Sequence, residues 1–189
     1  INTPKIIASA SEGGTNLFAM TYFETPAFLS QSPQLYKQLA ILGGLERVFE
    51  IGPAFRAEEH DTYRHLNEFI SFDIEMAWGN DEDVMGVQER MIHHIWSQVE
   101  TKDQNLIDII NEYRISQEME AISVNVPNLP FPRVSYDEAI EIIQSKGGEI
   151  KWGDDISASD ADLIAEEHPG FHFIPRWPME MKPFYIYHN

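Results

Sequence analysis

The stretch Phe55-Arg56-Ala57-Glu58-Glu59-His60-Asp61-Thr62-Tyr63-Arg64-His65-Leu66-Asn67-Glu68-Phe69 crowds arginines, histidines and carboxylates around one short polar loop. A guanidinium is planar, always charged and able to donate two parallel hydrogen bonds, so it suits a phosphate or a carboxylate. The same residues could form nothing more than a solvated hairpin tip. Phe69 argues otherwise. In the run Glu68 to Trp78 the residues alternate, with Ile70, Phe72, Ile74 and Met76 on one face and Phe69, Ser71, Asp73 and Glu75 on the other. A large ring on a polar face needs a cover, and a flat ligand is one such cover. Other chemistry-bearing residues lead nowhere. His93 and His94 are adjacent on a helix and point apart, with no carboxylate at ligand spacing. Asp154-Asp155 and Asp160 with Asp162 look like pieces of a calcium loop without the rest of it. Trp177, Phe184 and Tyr187 read as packing residues rather than stacking platforms.

These residues need elements to hold them. Arg47 to Arg56 reads as a strand in which Glu50 and Arg56 share a face. With the strand after Asn67 it predicts an antiparallel hairpin joined by the loop Ala57 to Asn67. Ser32-Pro33 opens a helix with a good N-cap and a proline at its first position. Leu35, Leu39 and Leu42 give it an apolar stripe, Gln34 and Lys37 share another face, and Gly43-Gly44 stops it. A second helix is expected from about Asp83 to Glu100, carrying Val84, Val87, Met91, Ile92, Ile95, Trp96 and Val99. A third starts at Ser135, with Glu138 completing a capping box, and stops near Gly147-Gly148. A short fourth starts near Ser159 and ends before Pro169. Phe171 to Ile174 and Phe184 to Tyr187 read as short strands. Thr101 to Pro132 is the weakest region, polar first and then proline-rich, and it reads as an extended connection. It marks the expected boundary between a core at 1–130 and a smaller continuation at 131–189. Strands and helices without regular alternation predict an α+β fold built on an antiparallel sheet.

The chain has 189 residues, 43% of them apolar and 12% aromatic, which is enough for a packed core. It contains no cysteine, which removes disulfides and thiolate chemistry and is compatible with a reducing, cytoplasmic setting. No run of 18 apolar residues exists, so no membrane-spanning helix is expected. The opening residues resemble neither a signal nor a transit peptide and do not start with Met, so a fragment or processed product is expected. The formal charge is −18, split as −5 over residues 1–80 and −13 over 81–189. That balance excludes a uniformly basic nucleic-acid binder. The second half reads as a solvated acidic surface.

The hairpin sequence resembles motif 2 of the class II aminoacyl-tRNA synthetases: Phe-Arg-x-Glu, a loop with His or Arg, then Phe on the returning strand. Asn2-Thr3-Pro4-Lys5 resembles the end of motif 1, whose proline sits at a dimer interface. Ser11-Glu12-Gly13-Gly14-Thr15 and Gln31-Ser32-Pro33-Gln34-Leu35-Tyr36-Lys37-Gln38 resemble blocks of the aspartyl-tRNA synthetases of archaeal or eukaryotic type. The similarity is nearly continuous from residue 1 to Trp78. It continues loosely through Pro130 to Tyr136 and Trp152 to Asp155, and returns at Lys182 to Tyr185.

The resemblance implies a class II catalytic fold that activates L-aspartate with ATP and passes it to tRNA(Asp), or also to tRNA(Asn), as a cytoplasmic homodimer. It implies that Arg56 stabilises charge on the α-phosphate, that Glu58 takes the adenine amino group, and that Arg64 holds the γ-phosphate. Phe69 would stack on adenine, with His65 and Leu66 nearby. For aspartate it implies Glu12 on the ammonium, with Gln34 and Lys37 on the side-chain carboxylate. Arg56 and, at the pocket wall, Tyr185 would complete that site. A buried ammonium facing a neutral amide is costly, which favours aspartate over asparagine. Nothing here resembles the family's motif 3, and the ligands for Mg2+ are expected beyond residue 189. The anticodon-reading barrel and most of motif 1 have no counterpart either, so activity is expected of a longer parent protein. An asparaginyl-tRNA synthetase, an asparagine synthetase on the same fold and a non-catalytic paralogue remain alternatives. The last usually loses the motif 2 arginine or the aromatic, both of which stand here as Arg56 and Phe69.

Overall fold

The computed structural model describes residues 1–9, 16–57 and 66–182. The element order is β1 (Ile6–Ile7), β2 (Ala19–Tyr22), β3 (Thr25–Leu29), α1 (Gln34–Leu42), β4 (Arg47–Phe55), β5 (Glu68–Met76), α2 (Asp81–Lys102), α3 (Gln104–Ser116), α4 (Tyr136–Ser145) and α5 (Ala158–Glu167). A 3-10 turn, Met179–Met181, follows. The chain divides into two compact units, Ile1–Asn80 and Asp81–Asn189, upstream of the proline-rich connection where the sequence placed its boundary.

In the first unit, β1, β3 and β2 form a three-stranded antiparallel sheet, and β4 and β5 form an antiparallel hairpin. Its register pairs Arg47 with Met76 and Phe55 with Glu68, so Glu50 faces Asp73, Gly52 faces Ser71 and Ala54 faces Phe69. Directly opposed residues share a face. One face therefore carries Glu50, Gly52, Ala54, Phe69, Ser71, Asp73 and Glu75. Three backbone contacts tie the hairpin to its surroundings. The N–H of Phe55 donates to the Ser30 carbonyl (3.0 Å), that of Ala57 to Asn16 (3.0 Å), and the Ile1 backbone nitrogen to Phe49 (2.8 Å).

The α1 helix starts one residue later than expected: Pro33, not Ser32, stands at the cap position and its carbonyl accepts the Lys37 N–H, while the Ser32 hydroxyl accepts the Gln34 N–H at 3.1 Å. Its orientation corrects the expected apolar stripe. Leu35, Leu39 and Leu42 are exposed, whereas Lys37 is the buried residue of the helix. The hairpin repeats this inversion. Its apolar face, with Phe49, Ile51, Ile70 and Phe72, is open, while Val48, Glu50 and Ala54 on the other face are buried. Polar partners across that inner face, not apolar burial alone, decide which side of α1 and of the hairpin is covered.

The second unit packs around α4. Tyr136, Ala139, Ile140 and Ile143 recur at helical spacing and are all buried, joined by Val134, Ile142, Ile150 and Ile164. The fully buried Tyr136 places its hydroxyl between Asp154 and Gly153, donating to the Asp154 carbonyl (2.7 Å) and accepting the Gly153 N–H (3.0 Å). The Ser135 hydroxyl caps α4 by accepting the Glu138 N–H, but both halves of a capping box form at Ser157 and Asp160, one helix later. That sets the start of α5 at Ala158.

Two sequence expectations fail in this unit. Residues 104–116 within the supposed weak region form α3, supported by a Gln104–Asp108 hydrogen bond one turn apart, because the prolines that break the helical pattern begin only at Pro127. The strand expected at 171–174 reduces to one parallel bridge between Arg133 and Phe173. Pro132 and Pro175 flank it without N–H donors and stop the ladder. The strand expected at 184–187 lies outside the described residues. In α2 the expected apolar stripe is only partly covered. The buried residue there is Glu89, whose carboxylate accepts the Phe131 N–H (2.8 Å) and pairs with Arg133. This pairing, with a weaker one to Glu82, holds the guanidinium pKa above its ordinary value.

Candidate functional site

The inner face of the β4–β5 hairpin gathers most of the polar chemistry of the first unit. Lys37 projects from α1 onto it. Its ammonium donates to Asp73 Oδ1 (3.2 Å) and to the Ile74 carbonyl (3.1 Å), and lies 3.6 Å from Glu75 Oε2. Gln34, one turn earlier on α1, donates through Nε2 to the same Glu75 oxygen at 3.2 Å. The Ser71 hydroxyl donates to the other Asp73 oxygen at 2.5 Å. Lys37 is 3% exposed, while the side chains of Asp73 and Glu75 keep 22% and 26% of their exposure. A solute can therefore reach the carboxylates, while the cation between them is buried.

Further along the same face, the Arg56 guanidinium lies 5.4 Å from the centroid of the Phe69 ring. Such a contact orients the guanidinium along the ring and leaves its donors available. The Arg56 Nε is buried and has no hydrogen-bond partner among the described residues. A buried, unsatisfied donor in a half-buried arginine costs free energy unless an acceptor arrives. Its backbone N–H is used, donating to the Asn67 carbonyl at 2.9 Å, so the strand fixes the residue while the side chain keeps free capacity.

The other end of the face is closed by the first residues of the chain. Glu50, 3% exposed, accepts from Lys5 Nζ (2.7 Å), the Thr3 N–H (3.0 Å) and the Thr3 hydroxyl (2.8 Å). Burial works to raise its pKa. The hydrogen bonds from Lys5 and Thr3 and the Lys5 charge outweigh this, and the carboxyl is held below the ordinary glutamate value. Gly52 leaves room between these groups: a Cβ there would stand 3.3 Å from Glu50 Oε1 and 3.5 Å from Lys5 Nζ.

The structure thus brings Gln34, Lys37, Arg56 and Phe69 to one face of one hairpin. Leu66 stands exposed just before β5. Glu12, Glu58, Arg64, His65 and Tyr185 lie outside the described residues. The sequence alone does not reveal the partners of Lys37, which are Asp73, Glu75 and the Ile74 carbonyl. Asp73 and Glu75 already neutralise it, so the argument from an unpaired buried ammonium does not apply to the free protein. The signal was present, since Phe69, Asp73 and Glu75 have the same parity in one strand. What the sequence hid was α1 turning its lysine, not its leucines, inward. Among the described residues no group of three or more His, Asp or Glu could hold a metal ion, and Asp73 and Glu75 are both occupied by Lys37. The described residues therefore do not fit a Mg2+ site.

A face with one guanidinium and ring, and one lysine shared by two carboxylates, can hold a planar base and an anionic group at one end and a small charged metabolite at the other. Comparison with known proteins bears on this arrangement. The family model for tRNA synthetases class II (D, K and N) matches residues 1–189. An aspartate–tRNA(Asp/Asn) ligase of Archaeoglobus fulgidus is 50% identical over 98% of this chain and 41% of its own length. One from Methanocaldococcus jannaschii is 48% identical over 98% of this chain and 40% of its own. The chain thus spans about two fifths of the curated relatives it matches. The crystal structure of asparaginyl-tRNA synthetase from Pyrococcus horikoshii complexed with asparaginyl-adenylate superimposes with a TM-score of 0.83 at 36% identity. That alignment covers 100% of this chain and 42% of the other.

Proposed function

The chain belongs to the class II tRNA synthetases (D, K and N), and from that premise we propose that it supplies the hairpin side of an aspartate–tRNA ligase active site. The substrates are ATP, L-aspartate and tRNA(Asp), with tRNA(Asn) as a second acceptor in keeping with the names of the similar ligases. The observation that carries the reading is the shared face: Lys37 and Gln34 at one end, Arg56 and Phe69 at the other.

In the first step an α-carboxylate oxygen of aspartate forms a bond to the α-phosphorus of ATP. The bond to the bridging oxygen breaks, and pyrophosphate leaves with its electron pair. Negative charge grows on the non-bridging oxygens. The Arg56 guanidinium, with a buried donor awaiting an acceptor, stabilises it. Phe69 covers one face of adenine, while Glu58, Arg64 and His65 take the remaining ATP contacts and Leu66 borders them. Lys37 turns part of its hydrogen bonding from Asp73 to the substrate's side-chain carboxylate. Gln34 supports it, and Glu12 takes the substrate's ammonium. In the second step a hydroxyl of the tRNA terminal ribose attacks the mixed anhydride and AMP leaves. Magnesium would supply charge neutralisation on the polyphosphate when bound. The parent acts in the cytoplasm as a homodimer, and the exposed Leu35, Leu39 and Leu42 of α1 are surfaces available to such an interface. No helix among the described residues is long and apolar enough to cross a membrane.

A second reading, activation of asparagine, has one observation in its favour. Lys37 is neutralised before substrate binds, and an amide could accept from Lys37 and donate to Asp73 or Glu75. ATP–pyrophosphate exchange with each amino acid separates the two. Exchange driven by aspartate, abolished by Arg56→Ala in a protein with an unchanged circular dichroism spectrum, is the expected result. Near-normal exchange in Arg56→Ala overturns the role of Arg56, and exchange driven by asparagine alone overturns the choice of substrate.

A further inference from the structure

Glu50 and Asp73 stand directly opposite one another across β4 and β5, on the same face. Like charges in that position repel, with Cβ atoms about 5 Å apart. The repulsion is balanced by two lysines from different parts of the chain, Lys5 on Glu50 and Lys37 on Asp73. The two ion pairs lie side by side on one sheet face, and Lys5 Nζ hangs over Gly52, whose cross-strand neighbour Ser71 donates to Asp73. Glu50 is buried and has three donors, so it stays ionised and its charge is fixed in place.

We propose that Lys5 and Glu50 form a positioning pair for amino-acid recognition: Lys5 cancels the Glu50 charge opposite Asp73, and so keeps the Lys37 ammonium available to an anionic substrate. The pair touches no substrate; it acts through Asp73 and Lys37. Without Lys5, the face holds Glu50, Asp73 and Glu75 against a single lysine. Lys37 is then held more tightly by its neighbours, and the surplus negative charge repels a second carboxylate. This rests on the reading of Lys37 as the partner of the aspartate side chain. A bare charge ~8 Å from a carboxylate, at an effective dielectric of about 20 and after solvent screening, changes affinity by roughly tenfold.

The test compares signs in the full-length ligase, with folding checked by circular dichroism. Lys5→Met should raise the KM for aspartate roughly tenfold and leave the KM for ATP within about twofold. Glu50→Gln, which keeps a hydrogen-bond acceptor but removes the charge, should shift the aspartate KM in the opposite direction, downward. The double variant Lys5→Met/Glu50→Gln should bring it back near the starting value. A clamp that merely held the N-terminal segment in place would raise KM in both single variants and worst in the double; that pattern overturns the proposal. Should Lys5→Met be too unstable to assay, the direction of the Glu50→Gln shift decides alone. Lys37→Leu is the control for the underlying reading. If it weakens aspartate while Lys5→Met does not, only the positioning role fails; if it leaves aspartate untouched, the site assignment itself fails.

Discussion

Replacing Lys37 by leucine isolates the charge term in amino-acid recognition. The side chain is 4% exposed and its ammonium sits within 3.6 Å of three acceptors: Asp73, Glu75 and the Ile74 carbonyl. Leucine of similar bulk fills the space but leaves Asp73 and Glu75 with no lysine between them. Two opposite charges 4 Å apart in a medium of effective dielectric about 20 attract by about 4 kcal/mol. Part of that is offset because Lys37 must loosen its hold on Asp73 to meet the substrate. Truncating one partner of a hydrogen-bonded charge pair usually costs about 2–5 kcal/mol, so the aspartate KM should rise about 30- to 5,000-fold. Stability should suffer far less. Both carboxylates keep about a quarter of their exposure and can rehydrate, so the unfolding free energy should fall by only about 1–2 kcal/mol. The assay is pyrophosphate exchange with aspartate varied at saturating ATP, then the reverse. ATP binding, placed at the Arg56 end, should change less than about threefold, and the preference for aspartate over asparagine should shrink. Equal losses for the two substrates, or an unchanged aspartate KM, would refute the assignment.

Phe69→Ala should raise the ATP KM by the about 1–3 kcal/mol that a stacked base contributes, with Phe69→Trp retaining most of the affinity; titration with ATP alone measures this. The same substitution removes the ring beneath Arg56, so kcat should fall as well in steady-state exchange. In the second unit, Glu89→Ala strands the Phe131 N–H and the Arg133 guanidinium, which also faces Phe173. Because Arg133 is about a quarter exposed and keeps Glu82, the loss should be about 3 kcal/mol rather than the upper end for a buried pair, read by urea denaturation.

Much of the hairpin could be read from alternation alone. The parity of Phe69, Ser71, Asp73 and Glu75, and of Glu50 with Arg56, put them on one face once the strands paired, and the structure pairs them residue for residue. The start of α4 was legible because Ser135 caps it with a local hydrogen bond, and that of α1 only to within a residue, since Pro33 rather than Ser32 holds the cap position. Orientation was not. Leu35, Leu39 and Leu42 form an ideal apolar stripe, yet they face outward, since the inner face of α1 is chosen by Lys37 meeting Asp73 and Glu75 some 36 to 38 residues later. No window of local sequence contains that choice. The α3 helix was missed for a different reason. Its surroundings are polar, and Ile107 is its one buried residue, so the pattern carries little contrast. The link between Thr3, Lys5 and Glu50 spans 45 to 47 residues and has no periodic signature at all.

We propose that one sheet face binds the two halves of aspartyl-adenylate. A crystal structure of the full-length protein with a non-hydrolysable sulfamoyl analogue of that adenylate tests it directly. The expected result is the adenine ring against Phe69, the sulfamoyl oxygens on the Arg56 guanidinium, and the aspartate side-chain carboxylate about 3 Å from Lys37 Nζ. An analogue bound away from this face, or bound with Lys37 still engaged only by Asp73 and Glu75, contradicts it.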